Sequence, residues 1–137
     1  MERQDLGALF ARITRRLIDA EKPLLAARGL AMWDYIVLAQ LARGTAPTQL
    51  ALAQAVDYDK TRLIKLLDEL ERQSLLTREP DPADRRARIV RLTPAGERLL
   101  ADARGDIRVM EEDLLGRLDG TERDVLLAVL PRLAGDG

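Results

Sequence analysis

Between Asp57 and Leu92 the hydrophobic period of the chain changes once, and that change limits its possible folds more than any other feature. Leu63, Leu66, Leu67 and Leu70 recur at three- and four-residue intervals, so they lie on one stripe of a helix. Asp59 stands where a carboxylate can accept from the free amides of a first turn, which places the helix start there. The runs that follow, Leu76-Thr77-Arg78 and Ile89-Val90-Arg91-Leu92, are short and β-prone. Two prolines and Asp84-Arg85-Arg86 lie between them, so the segment reads as a hairpin with a stiff, charged tip.

On the helix, Thr61, Lys65 and Asp68 fall opposite the leucine stripe, with Ile64 on one flank. A hydroxyl, an ammonium, a carboxylate and an apolar side chain on one face can meet the base edges and phosphates of a major groove, with Ile64 against a thymine methyl. The plain alternative is a solvated helix face, and for an isolated helix it is the better reading. The hairpin changes the balance. Arg85, Arg86, Arg88 and Arg91 crowd into seven residues on a narrow ribbon, and the negative potential of a narrow minor groove attracts such side chains. Asp84 is a poor neighbour for phosphate and is read as a structural partner of one tip arginine. Upstream, Thr48 can cap a short helix from Gln49 to Val56 carrying Leu50, Leu52, Ala53 and Val56, and Val56 to Asp59 forms a turn. Helix, turn, helix and charged hairpin is the order of a winged helix-turn-helix.

Composition removes other classes. The chain has no cysteine and no histidine, so a disulfide framework and ordinary zinc, haem or iron–sulfur sites are ruled out. Ser74 is the only serine, so a Ser–His or Cys–His nucleophile pair cannot be assembled and an enzyme is not expected. No cofactor is expected. With one Trp, one Phe and two Tyr, the core must be aliphatic. The formal charge is −1, yet basic residues exceed acidic ones between Lys60 and Leu92, and acidic residues dominate after Glu97. A basic element on an acidic body orients approach to nucleic acid, though acidic helix surfaces also serve solubility alone. The N-terminus lacks signal-peptide architecture and no apolar run approaches membrane-spanning length, so a soluble, cytoplasmic protein without membrane contact is expected.

Around this centre lie amphipathic helices. Leu6, Leu9, Phe10, Ile13 and Leu17 mark a first helix over about residues 3–21, which Pro23 is expected to kink or break. A further turn follows to Arg28, and Gly29 stops it. A second helix, residues 31–42, is apolar on most sides and holds Trp33 and Tyr35. Thr93-Pro94 opens a long helix whose residues Leu99, Ala103, Ile107, Met110, Leu114 and Leu118 step by four, four, three, four and four. Gly105 and Gly116 mark expected bends. Gly120 separates a last helix, opened by an approximate capping box at Thr121–Asp124 and lined by Val125, Leu126, Val129, Leu130 and Leu133. Pro131 suggests a distorted or early end. These terminal helices carry more apolar surface than one small domain covers, and a symmetric homodimer through Leu6, Leu9, Phe10, Ile107, Met110, Leu114, Leu126 and Leu130 is the simplest remedy.

Several runs together closely resemble the MarR family of bacterial transcription regulators: Leu52-Ala53, Asp59-Lys60-Thr61-Arg62-Leu63, Leu66-Leu67-Asp68-Glu69-Leu70-Glu71, Leu75-Leu76-Thr77-Arg78, Asp81 to Ala87 and Leu92-Thr93-Pro94-Ala95-Gly96. Ser74 departs from the glycine usual after the recognition helix, and Ala51 from a frequent glutamate. The expected fold is mainly α with a small β-wing. It is a single domain over 1–137, with dimerisation helices at 1–29 and 94–137 flanking a winged helix-turn-helix at 31–92. The reading assigns Thr61, Ile64, Lys65 and Asp68 to the major groove and Arg85 and Arg86 to the minor groove. Gln49, Lys60, Arg62 and Arg88 are assigned to phosphates. The partner is double-stranded DNA carrying an imperfect palindrome, with half-sites about 34–36 Å apart. Core packing is the plainer reading of Trp33 and Tyr35, yet the resemblance also implies a small-molecule effector site where the second helix meets the first and fifth, at Trp33, Ile13, Arg16 and Leu17; an aromatic carboxylate suits an arginine beside aromatics. The function is then that of a homodimeric repressor, and the alternative is a winged-helix protein–protein module without DNA binding.

Overall fold

The computed structural model describes residues 2–136; Met1 and Gly137, the outer ends of the expected terminal segments, lie outside the described residues. The element order is α1 (Leu6–Ala27), α2 (Met32–Leu41), α3 (Gln49–Ala55), α4 (Lys60–Arg72), β1 (Leu76–Asp81), β2 (Asp84–Leu92), α5 (Pro94–Leu115) and α6 (Gly120–Leu133). This is the mainly α architecture with one antiparallel hairpin that the sequence implied.

The core is aliphatic. Leu25, Val37, Leu38, Leu52, Leu63, Leu67, Leu70, Leu76 and Val90 are the largest fully buried side chains, drawn from α1, α2, α3, α4 and both strands. Three expected helix starts are capped by their own side chains. Thr48 accepts from the Ala51 amide, Asp59 from the Arg62 amide and Thr93 from the Gly96 amide, each satisfying a donor the helix leaves free. Gly29, at φ 74°, ends α1, after which α2 departs at 87°. The α1–α5 junction is tied by Arg28, which donates to both oxygens of Asp106 at 2.5 and 3.1 Å. That pairing lowers the Asp106 carboxyl below its usual range.

The structure corrects several expectations. Helix α1 runs unbroken through Pro23, because Pro23 and Asp19, whose carbonyl the proline leaves free, both face solvent. Pro131 likewise lies inside α6, again on the exposed side. The α6 box is closed by Asp119 and Glu122, two residues earlier than expected, so Gly120 is the first helical residue. Gly116 caps α5 rather than bending it, which leaves Leu118 in the following turn. The strands are longer than their β-prone cores, pairing from Leu76 with Leu92 out to Asp81 with Asp84, so only Pro82 and Ala83 remain at the tip. Ile107, assigned to the dimer seam, is 4 % exposed and belongs to the core of its own chain.

Candidate nucleic-acid interface

The amphipathic period of α4 turns Leu63, Leu67 and Leu70 inward, and so presents Thr61, Lys65 and Asp68 to solvent with Ile64 half-buried beside them. Lys60 and Arg62 are exposed in the first turn. The wing leaves Arg85, Arg86 and Arg88 exposed, and the Arg86 side chain retains 94 % of its accessible surface. A cleft of about 380 Å³ separates the two elements, lined by Thr48, Gln49, Lys60, Asp81, Arg86 and Arg88 among others. The chain thus brings the start of α3, the start of α4 and the wing to one opening, with cations on both rims.

The acids at this opening have structural partners. Asp81 Oδ1 accepts from the Ala83 amide at 2.9 Å, which builds the two-residue tip. Asp84 Oδ1 accepts from the Arg86 amide at 3.1 Å and lies 3.6 Å from Arg86 Nε.

Two assigned residues are partly committed elsewhere, to an arginine that the sequence reading did not single out for the site. Arg78 Nη2 donates to Asp68 Oδ1 at 2.6 Å and Nη1 to Gln49 Oε1 at 3.2 Å. Nη2 and Nε also donate to Glu71 Oε1 at 2.7 and 3.1 Å, and the Arg78 amide donates to Glu71 Oε2 at 3.1 Å. Only 11 % of the Arg78 side chain is exposed. Burial works against its charge, yet the bonds to Glu71 and Asp68 hold its pKa above the usual arginine range. The Arg78 bonds pull the Glu71 carboxyl below its usual range. The signal for Arg78 was strand parity: it lies two residues after buried Leu76 and so shares the inward face.

The proposed effector residues do not all meet. Ile13 and Leu17 line an apolar cavity of about 490 Å³ with Phe10, Leu114, Leu126 and Leu130. Arg16 and Leu17 line a smaller neighbouring one with Met110. Trp33 is in neither; it stacks on Tyr58, with ring centroids 4.2 Å apart, on a helix that leaves α1 at 87°. Of the other dimer candidates, Leu6 is exposed, and Leu9 and Met110 are half-buried.

Residues 28–87 match the family model described as MarR family. The transcriptional regulator HosA of Escherichia coli O111:H- is 33 % identical over 123 residues, 90 % of this chain and 84 % of that one. A candidate transcriptional regulatory protein for the hcr operon of Thauera aromatica is 33 % identical over 99 residues, 72 % of this chain; the match spans 60 % of that protein's length. Among solved structures, the transcriptional repressor CouR bound to a 23-mer DNA duplex is 28 % identical with a TM-score of 0.77, covering 98 % of this chain and 99 % of that one. These relatives are regulators and not enzymes. Sequence similarity over nine-tenths of the chain and a shared winged fold agree: the protein belongs to the MarR family of transcriptional regulators.

Proposed function

We propose that the protein binds a palindromic operator as a homodimer and represses a nearby gene. The observation that carries this is the cleft between the helix-turn-helix and the wing, where Lys60 faces Arg86 and Arg88 across a gap open to solvent. Lys60, Arg62 and Arg88 meet phosphates, as does the free amide group of Gln49. Thr61, Ile64 and Lys65 reach base edges, and Arg85 and Arg86 reach the minor groove. A repressor of similar fold holding a DNA duplex supports the same docking. Such a protein works in the cytoplasm, where its operator is. A small aromatic or anionic effector binds at Ile13, Arg16 and Leu17, at the edge of the apolar cavity whose Phe10, Leu114, Leu126 and Leu130 the second subunit covers, and shifts the dimer toward a spacing that misfits the operator.

The test is binding to the DNA flanking the protein's own gene, titrated with salt. Tight binding to one palindromic segment that weakens steeply with salt is expected. Arg86→Ala should lose about 1–3 kcal/mol of binding if that side chain lies in the groove. Weak, salt-insensitive association with every sequence, including those selected from random DNA, would instead favour a protein–protein module.

A further inference from the structure

We infer that Arg78 is a positioning residue for DNA recognition: it joins the first helix of the helix-turn-helix, the recognition helix and the wing into one rigid reading head. This deepens the DNA-binding reading above and rests on it. The guanidinium makes four hydrogen bonds to three side chains, one on α3 (Gln49) and two on α4 (Asp68 and Glu71), while its own backbone lies in β1. The Arg78 carbonyl also accepts from Arg88 Nη2 at 3.4 Å, which adds β2.

The need for such a tie follows from the hairpin itself. Two strands alone are marginally stable, and this sheet has only two, with a single bridge from Thr48 to Ile89 beside it. From Glu79 through the tip to Arg88 every side chain but Asp81 and Ala87 is exposed, so the direction of the wing is set at its base. A planar fork bonded to carboxylates at two successive turns of α4 fixes that direction. Recognition helix and wing must enter two grooves at once, so an error in their relative placement weakens both sets of contacts together. Asp68 accordingly acts through Arg78: the bonded Oδ1 is withdrawn from base readout.

The experiment uses the full chain carrying Arg78→Gln, and Arg78→Lys as a second variant that keeps the charge but not the fork. The first readout needs no DNA. Amide exchange across Leu76–Leu92 should accelerate about tenfold or more, while Leu25, Val37 and Leu38 keep wild-type protection. The second readout is a double-mutant cycle with Arg86→Ala, a wing-tip residue that makes no hydrogen bond or ion pair to Arg78. Operator affinity should fall about tenfold or more in the Arg78 variants, with the salt slope of non-specific binding unchanged. The further loss from Arg86→Ala should shrink in their presence. Wing protection equal to wild type would overturn the assignment. So would a full, additive Arg86→Ala effect, or a uniform loss of protection throughout the chain in both variants. If the wild-type protein itself bound no DNA, the functional reading would fail, and amide exchange would still decide the clamp.

Discussion

Ser74 occupies the left-handed region, at φ 62°, in the turn between α4 and β1. A side chain there costs about 1–2 kcal/mol, a cost that glycine escapes. Glycine also adds freedom to the unfolded chain, about 0.5–1 kcal/mol, so Ser74→Gly should stabilise the fold by about 0–1.5 kcal/mol, read from urea midpoints. A lower midpoint would mean that the serine side chain contributes something the turn needs. Gly96 is the reverse case. A Cβ at Gly96 would lie 2.0 Å from the Leu75 carbonyl oxygen, a backbone atom that cannot rotate away. Gly96→Ala should cost about 3 kcal/mol or more, and a midpoint shift below about 1 kcal/mol would refute so close an approach. Both positions were visible in sequence, as a serine where the family resemblance implies glycine and as the end of Leu92-Thr93-Pro94-Ala95-Gly96, but the approach to Leu75 depends on a turn remote in sequence. Arg78 was missed for a different reason: it was read only as part of a short β-prone run, although its strand parity pointed inward.

Among the elements, helices were the most legible because their three- and four-residue periods survive any tertiary arrangement. Their ends were less so. Pro23 and Pro131 were read as breaks because proline removes a hydrogen bond; on an exposed face water takes the freed carbonyl and the helix continues. The wing was read too short because Pro80 and the polar residues from Asp84 to Arg88 hide strand character that pairing supplies. Ties between elements give a pH signature. Glu71 and Asp106 have pKa values lowered by their arginines, so their stabilisation is complete above the unfolded carboxylate range, about 3.9–4.3, and is lost as pH falls below it. Glu21 behaves oppositely. Burial, then the nearby Glu111 charge, raises its pKa, so its protonation favours the fold as pH drops from neutral. Glu21→Gln should therefore raise the melting temperature at pH 7 and lessen that gain toward pH 5. Glu71→Gln should lower it at pH 7 and flatten the decline below about pH 4. Parallel curves for wild type and variants would show that neither group titrates as placed.

For the molecule as a whole, α6 is the unfinished part. Among the described residues none of α6 is buried, and Val125, Leu127 and Leu133 keep 55, 46 and 71 % of their exposure. Leu6 and Phe10 on α1 are also open, at 57 and 44 %. An apolar surface of this kind marks an interface, which supports the proposed dimer. Leu126→Glu or Phe10→Glu should shift sedimentation from dimer to monomer at micromolar concentration and lower operator affinity by about tenfold or more, since one half-site remains. Dimers persisting in both variants would place the interface elsewhere. The surplus of apolar stripe was legible from the sequence, but the destination of Trp33 was not, since a helical wheel shows which way a side chain points and not what meets it. That destination has a practical consequence. The chain's one indole lies against the ring of Tyr58, next to the residue that caps the recognition helix. Tryptophan emission is thus a single-site optical gauge of the packing of the turn between α3 and α4, in a protein that carries no added label.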